Sequence, residues 1–232
     1  MLEFKPEELE EKIGFSFNDR MLLRSALSHR SYINELKINK YPDYERLEFL
    51  GDAVLEVIVS DFLYREHPEM PEGKLSKLRS ALVCEPTLAD SAGAFDLSDY
   101  ILVGHGEEEQ GSRYRASIVS DVFEALIGAI YLDAGFEAAK KHIEKYVLQD
   151  MDNKRLFYDS KSILQELCQK SGDTLEYMIA GESGPDHQKV YTIDVLINGL
   201  KVSEGKGSSK KSAEQQAAYE YLRNREEKTD FR

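Results

Sequence analysis

The hydrophobic period of this chain changes once, near residue 150, and that change limits the folds open to it. Up to that point apolar residues recur at the three-and-four spacing of helices. Pro6 suits the first turn of a helix running to about Ile13. Asn18 or Asp19 can cap the next, through Leu22, Leu23, Ala26 and Leu27. Further helices are expected over about 44–66, from Ser76 to Val83, from Pro86 to Ala94, from Ile118 to Leu132, and over 137–150. Gly104 to Gly111 reads as a polar, glycine-rich loop, and no strand pattern occurs in this part. The charged segment 151–159 reads as a linker. A helix bearing Ile163, Leu164 and Leu167 follows. Alternating runs then appear, Leu175, Tyr177 and Ile179 in one and Tyr191, Ile193, Val195 and Ile197 in another. Asn198-Gly199, a type I′ hairpin dipeptide, leads to a third run, Leu200 to Glu204. A helix with Ala213, Ala217, Ala218, Tyr221 and Leu222 closes the pattern. The expected architecture is an all-α domain over 1–150 and a small α+β module over 160–228. The module's order is α-β-β-β-α, which packs two helices on one sheet face.

Charge follows the same division. The net charge is -13, which by itself argues against a nucleic-acid partner. Residues 1–155 carry 19 Lys and Arg against 30 Asp and Glu, whereas residues 156–232 carry 11 against 13. The acidity therefore belongs to the helical part, and the second part is nearly neutral with clustered lysines. No apolar run is long enough to span a bilayer. Residues 1–8 are acidic and lack an apolar signal segment. Cys84 and Cys168 stand alone, without zinc-site or disulfide spacing. These features lead to the expectation of a cytoplasmic protein without a membrane partner.

The acidity has a pattern. In Glu45-Arg46-Leu47-Glu48-Phe49-Leu50-Gly51-Asp52-Ala53-Val54-Leu55-Glu56, helical spacing puts Glu45, Glu48, Asp52 and Glu56 on one stripe. Like charges so spaced repel. Asp121 and Glu124 form a second pair at a spacing of three. If the two helices pack, Glu48, Asp52, Asp121 and Glu124 converge, and four carboxylates in one pocket do not all stay ionised without a cation. Oxygen ligands suit Mg²⁺ or Mn²⁺. The same spacing also describes a charged, solvated helix face.

Residues 45–56 resemble the signature of ribonuclease III, and Asp121 to Ala125 resembles its second acidic motif. Ala26-Leu27-Ser28-His29-Arg30-Ser31-Tyr32 and the Gly104–Arg113 loop also match. The C-terminal module is similar to a double-stranded-RNA-binding domain. The resemblance covers about residues 5–225 in the expected order. It implies that Glu48, Asp52, Asp121 and Glu124 hold Mg²⁺, for which Mn²⁺ can substitute, with Asp52 and Glu124 the catalytic pair. It implies supporting positions for Glu45 and Glu72 in a catalytic valley. It also implies a homodimer into whose partner subunit Phe49 inserts, although core packing is an equally ordinary fate for a phenylalanine. Glu56 matches no catalytic position and reads as a solvated residue of the stripe. Two positions depart from the family pattern: Ser120 stands where a small Gly or Ala is common, and Ser112 where a second Gly often follows Gly111. Arg113 and Arg115 in that loop are candidate phosphate contacts, or simply solvated charges.

In the C-terminal module, Lys210 and Lys211 begin the last helix, where cations oppose the helix dipole. Free backbone N–H groups plus lysines make a phosphate site there, with Lys206 and Ser209 beside it. The resemblance implies that Gln165, Glu166 and His187 meet the RNA minor groove, where duplex RNA is read mostly by shape. His29 and His142 lack a metal-site spacing and read as structural. The reading is a metal-dependent endoribonuclease that makes staggered cuts in double-stranded RNA, leaving 5′-phosphate and 3′-hydroxyl ends. It uses no protein nucleophile and no small-molecule cofactor. Precursors of ribosomal and transfer RNA and structured messages are substrates by resemblance. An inert double-stranded-RNA-binding protein is the alternative; such relatives lose the carboxylates that this chain keeps.

Overall fold

A computed structural model describes residues 4–37, 40–149, 151–184, 189–207 and 209–229. The chain divides into two compact units, 1–151 and 152–232. The first is helical: α1 (Pro6–Ile13), α2 (Arg20–Ala26), α3 (Arg30–Glu35), α4 (Glu45–Glu66), α5 (Glu72–Leu82), α6 (Glu85–Gly93), α7 (His105–Glu109), α8 (Ala116–Ala134) and α9 (Phe136–Ile143). Among the described residues its only β pairing is an isolated bridge between Ser28 and Leu102.

The centre of this unit follows from α8. It is apolar nearly all round, and such a helix must be buried. Val122, Phe123, Leu126, Ile127 and Ile130 lie fully inside. The apolar side of α4, with Leu55, Ile58, Val59 and Leu63, packs in the same core. Glycine fixes how closely α4 and α8 approach. A Cβ on Gly51 would lie 1.8 Å from the carbonyl oxygen of Glu124, and one on Gly128 would lie 2.3 Å from that of Leu47. The two helices touch backbone to backbone at this crossing, a packing open only to residues without a side chain.

Three expectations for this unit are corrected. Helix α5 begins at Glu72 rather than Ser76, because extended Pro71 precedes it and an acid in the first turn suits the helix dipole. The Gly104–Gly111 segment is not simply a loop, since α7 forms within it and a 3₁₀ turn follows over Ser112–Tyr114. The last helix ends at Ile143 and passes into a π-helical turn over Glu144–Leu148.

His142, 5% exposed, lies against the rings of Phe95, Phe123 and Tyr146, and its Nε2 has no protein partner. Burial, with Lys145 nearby, pushes its pKa down to about 3. The unfolded chain therefore takes up a proton below about pH 6.5 that the folded chain refuses. Stability contributed by neutral His142 is present above that pH and is lost as pH falls toward 3. His142→Phe is expected to flatten the acid limb between pH 6 and 5 by about 1.4 kcal/mol per pH unit, read from urea melts at each pH.

The second unit is α10 (Met151–Ser171), β1 (Leu175–Ser183), β2 (Val190–Ile197), β3 (Leu200–Gly207) and α11 (Lys210–Thr229). Its three strands are antiparallel in the order β1-β2-β3. Segment 151–159, expected as a linker, is helical. It contains no Gly or Pro to break the helix, which runs on into the Leu164 face. Asn198 and Gly199 both have positive φ, 53° and 76°, as a type I′ turn demands. Leu164, Cys168, Val195, Ala217, Ala218 and Leu222 form the core. Gly205 lets β3 approach α11, since a Cβ there would lie 2.2 Å from the Ala217 nitrogen. Neither Cys84 nor Cys168 is in a disulfide.

Candidate active site

The backbone crossing of α4 and α8 is also where the carboxylates meet. On α4 the stripe runs Glu45, Glu48, Asp52, Glu56; on α8 it is Asp121 and Glu124. Because the Glu124 carbonyl abuts Gly51, the Glu124 side chain is carried to the helix that bears its neighbours, Glu48 and Asp52. Glu48, Asp121 and Glu124 are partly buried, and Asp52 is exposed. Burial, then Asp52, Glu48, Asp121 and Glu56, push the Glu124 carboxyl up to about 8. Glu48 is raised by burial, then by Asp121, Glu45 and Asp52. Asp121 is raised mainly by burial, against the hydrogen bond it accepts from Tyr44. Glu124 thus feels the other three carboxylates, and Glu48 feels Asp52 and Asp121.

Tyr44, 6% exposed, stands just before α4. Its hydroxyl donates to Asp121 Oδ2 at 3.4 Å, and its ring lies 5.8 Å from that of His29. His29 itself caps α3: Nδ1 accepts from the Ser31 amide at 3.2 Å and lies 2.7 Å from Ser31 Oγ. Nothing in the spacing singles out Tyr44. Gly51 and Gly128 do carry a signal, because glycine in a helix interior costs about 1 kcal/mol against alanine and here marks close approach.

Glu45 and Glu56 border the four, since Glu45 acts on Glu48 and Glu56 on Glu124. Glu45 is exposed and lies 3.6 Å from Arg30 Nη1. Glu72 is exposed and accepts from Ser76 Oγ at 2.7 Å. Glu56 is not simply solvated: Arg79 Nε lies 2.8 Å from its Oε2. Phe49 is 81% exposed, so it does not pack in this chain's own core. Arg113 is 4% exposed and ion-paired with Glu108, which removes it as a surface contact for phosphate. Arg115 is exposed and donates to Gln110.

The donor set suits a hard cation, since oxygen ligands of high charge density are what Mg²⁺ and Mn²⁺ take. The Glu124 carboxyl, pushed up to about 8, is the group whose proton a cation would displace. Among the described residues no three His, Cys, Asp or Glu side chains enclose an ion by themselves. The arrangement is an open acidic floor rather than a closed cage. That fits an ion held by one or two carboxylates and completed by water and phosphate oxygens.

In the second unit, Gln165 and Glu166 are exposed on α10, and Lys206, Ser209, Lys210 and Lys211 are exposed around the start of α11. Ser209 Oγ accepts from the Ser212 amide at 3.1 Å and so caps α11. Lys189 and Lys210 each place Nζ 5.8 Å from the centre of the Tyr191 ring. His187 lies outside the described residues.

Comparison with known proteins agrees with this division. The ribonuclease-III-like family model matches residues 19–151, and the double-stranded RNA binding motif matches 160–225. The chain is similar to ribonuclease 3 of Listeria monocytogenes serotype 4a, 46% identical over 91% of this chain and 94% of that one. It is similar to ribonuclease 3 of Geobacillus kaustophilus, 48% identical over 92% and 88%. Among solved structures it resembles the nuclease domain of ribonuclease III from Campylobacter jejuni, 44% identical with a TM-score of 0.55, over 61% of this chain and 98% of that one. That structure concerns flexibility in a region involved in dimer formation.

Proposed function

The chain belongs to the ribonuclease III family, and from that premise we propose that the α4–α8 crossing is the centre at which it hydrolyses double-stranded RNA. The protein is a metal-dependent endoribonuclease specific for double-stranded RNA, with a helical nuclease unit and a double-stranded-RNA-binding unit. One observation carries the assignment of its centre. Glu124 is drawn by a glycine crossing into a group of four carboxylates from two helices, and its own carboxyl is raised to about 8. A chain keeps so unfavourable a cluster where a cation offsets the repulsion.

Glu48, Asp52, Asp121 and Glu124 are the ligands in this reading, and Mg²⁺ is the resident ion, with Mn²⁺ able to replace it. When bound, the ion lowers the pKa of its water and stabilises charge on the phosphodiester. Asp52 and Glu124 orient the attacking water at phosphorus, and Tyr44 holds the Asp121 carboxylate. Glu48 and Asp121, partly buried, would repel the phosphodiester until a cation offsets their charge. The P–O3′ bond breaks, leaving a 5′-phosphate and a 3′-hydroxyl. No Ser–His or Cys–His pair is needed. Glu45 and Glu72 line the approach as outlying acids. Gln165, Glu166, His187, Ser209, Lys210 and Lys211 take the duplex through ribose hydroxyls and phosphates. Precursors of ribosomal RNA and structured messages are the cellular substrates in this reading. No described helix is long and apolar enough to cross a membrane.

The working form is a homodimer with two such centres, one for each strand, which makes the cut staggered. Its support is an exposed apolar stripe on α4: Phe49, then Ala53, Val57 at 57% and Tyr64 at 74% exposure. Helical spacing puts these on one face. Exposed aromatics of this kind are what an interface buries. Phe49→Asp is expected to weaken dimerisation by about 2–4 kcal/mol, roughly 30- to 1000-fold in Kd, read by sedimentation equilibrium. An unchanged dissociation constant would place the interface elsewhere.

The deciding experiment is incubation of a long, perfectly paired RNA with the full chain in Mg²⁺ and in EDTA, alongside single-stranded RNA and duplex DNA. Mg²⁺-dependent cutting confined to duplex RNA is the expected result. Binding without cutting in either Mg²⁺ or Mn²⁺ would favour the inert RNA-binding protein.

A further inference from the structure

Beyond the four carboxylates the α4 stripe continues into a second polar cluster whose Glu56, Ser60 and Arg79 the reaction so far leaves unused. Glu56 stands one turn past Asp52, and Ser60 one turn past Glu56. On α5, Glu72, Ser76 and Arg79 fall at spacings of four and three and share a face. The two helices meet through Arg79. Its Nε lies 2.8 Å from Glu56 Oε2, and its Nη1 donates to Ser60 Oγ at 3.0 Å. Ser60 Oγ in turn donates to the Glu56 carbonyl at 2.6 Å.

We propose that Arg79 is a phosphate-binding residue for the duplex, contacting the RNA backbone next to the carboxylate floor; this rests on the assignment of that floor as the cleavage centre. The guanidinium has five N–H donors in a fixed plane. Glu56 and Ser60 engage two of them and so set the plane. The side chain remains 39% exposed, which leaves the fork within reach of a ligand. A half-exposed ion pair contributes little to stability, so stability alone does not account for an arginine held from two sides. A planar donor fork matches phosphate geometry. The location gives it work to do. A floor of carboxylates repels a polyanion, and a cation beside that floor lowers the cost of bringing the strand to it. In this arrangement Glu56 is a positioning residue that acts through Arg79.

The test reads binding separately from cutting. In the full chain carrying Glu124→Gln, affinity for a fluorescently labelled duplex RNA is measured by anisotropy across a KCl series. Each neutralised phosphate contributes a slope of about 0.9 in log K against log salt for duplex DNA. Arg79→Gln is expected to reduce the slope by about one per subunit, and Arg79→Lys to keep it. Glu56→Gln is expected to keep the slope with a modest loss of affinity. An Arg79→Gln slope equal to the parent's, whatever happens to thermal stability, would reduce Arg79 to a counter-ion of Glu56 and overturn the proposal. If Arg79→Gln alone does not fold, the double variant Glu56→Gln/Arg79→Gln removes both charges of the pair, and the same slope decides. Failure here is distinct from failure of the functional reading, because that reading stands or falls on whether the unmodified chain cuts duplex RNA in Mg²⁺.

Discussion

Glu124→Gln is expected to bind duplex RNA as the parent chain does and to cut it about a thousandfold more slowly. The substitution keeps the shape of the side chain and removes one anionic ligand. A catalytic cation contributes several kcal/mol to transition-state stabilisation, and about 4 kcal/mol corresponds to three orders of magnitude in rate. Binding rests largely on the other unit and is spared. A second consequence separates this account from simple misfolding. Without metal the Glu124 carboxyl titrates near 8 in the folded chain, against an ordinary value of 4.5. Between those values the folded chain holds a proton that the unfolded chain has released. Metal-free stability therefore falls as pH rises from about 4.5 to about 8. Glutamine has no proton to lose, so the variant is expected to be the more stable protein at pH 8 in EDTA, with a flatter profile. Single-turnover cleavage in Mg²⁺ and metal-free urea melts at pH 6 and pH 8 supply both readings. Cutting at the parent rate would dismiss Glu124 as a ligand.

Gly51→Ala is expected to cost both fold and chemistry. The new methyl would meet the Glu124 carbonyl oxygen at 1.8 Å, and that atom is backbone, which cannot rotate away. Overpacking of this sort costs about 3 kcal/mol or more, roughly 6–12 °C in Tm for a unit of this size. The helices must separate to admit the methyl, and a displacement of about 1 Å at a reacting centre costs on the order of a hundredfold in rate. Cleavage is therefore expected to fall even well below the new Tm. Gly73→Ala is the control, since a Cβ there has nothing within 4 Å, and it should leave both quantities nearly unchanged. Calorimetry and initial rates at a temperature where both variants are folded make the comparison. A Gly51→Ala protein with parental Tm and rate would mean that the crossing is loose.

Much of the architecture was readable from periodicity because its determinants are local. The helical spacing of α4 and α8, the alternation in β1 and β2, and the Asn198-Gly199 turn are each specified within a few residues. Segment 151–159 reads as a linker because its charge density marks solvent exposure, yet it contains no Gly or Pro to break the helix. The glycine-rich segment around α7 was misread as a loop for a related reason: glycine weakens a helix without forbidding a single turn. The carboxylates of the candidate site are visible as two same-face pairs, but spacing gives their convergence only on the condition that the helices pack, and the family resemblance alone joins them, since the crossing lies between residues distant in sequence. Tyr44 and the Glu56–Arg79 pair were invisible for the same reason. Each gains its partner only through tertiary packing, and no spacing rule reaches across helices. Arg113 shows the converse: a charge in a polar loop reads as a phosphate contact or a solvated charge, whereas an ion pair with Glu108 lets it be buried.

The crossing of α4 and α8 also bears on when the protein becomes a nuclease. Tyr44 and Asp121, which meet there, are 77 positions apart in the chain. A polypeptide growing from its N-terminus carries Glu48 and Asp52 long before Asp121 and Glu124 exist. Closing so long a loop comes after local helices form, so the two acidic pairs first confront each other when the helical core is assembled. An incomplete chain thus holds half a ligand set, and without Glu124 and Asp121 it lacks the full group of four carboxylates that a cation would offset.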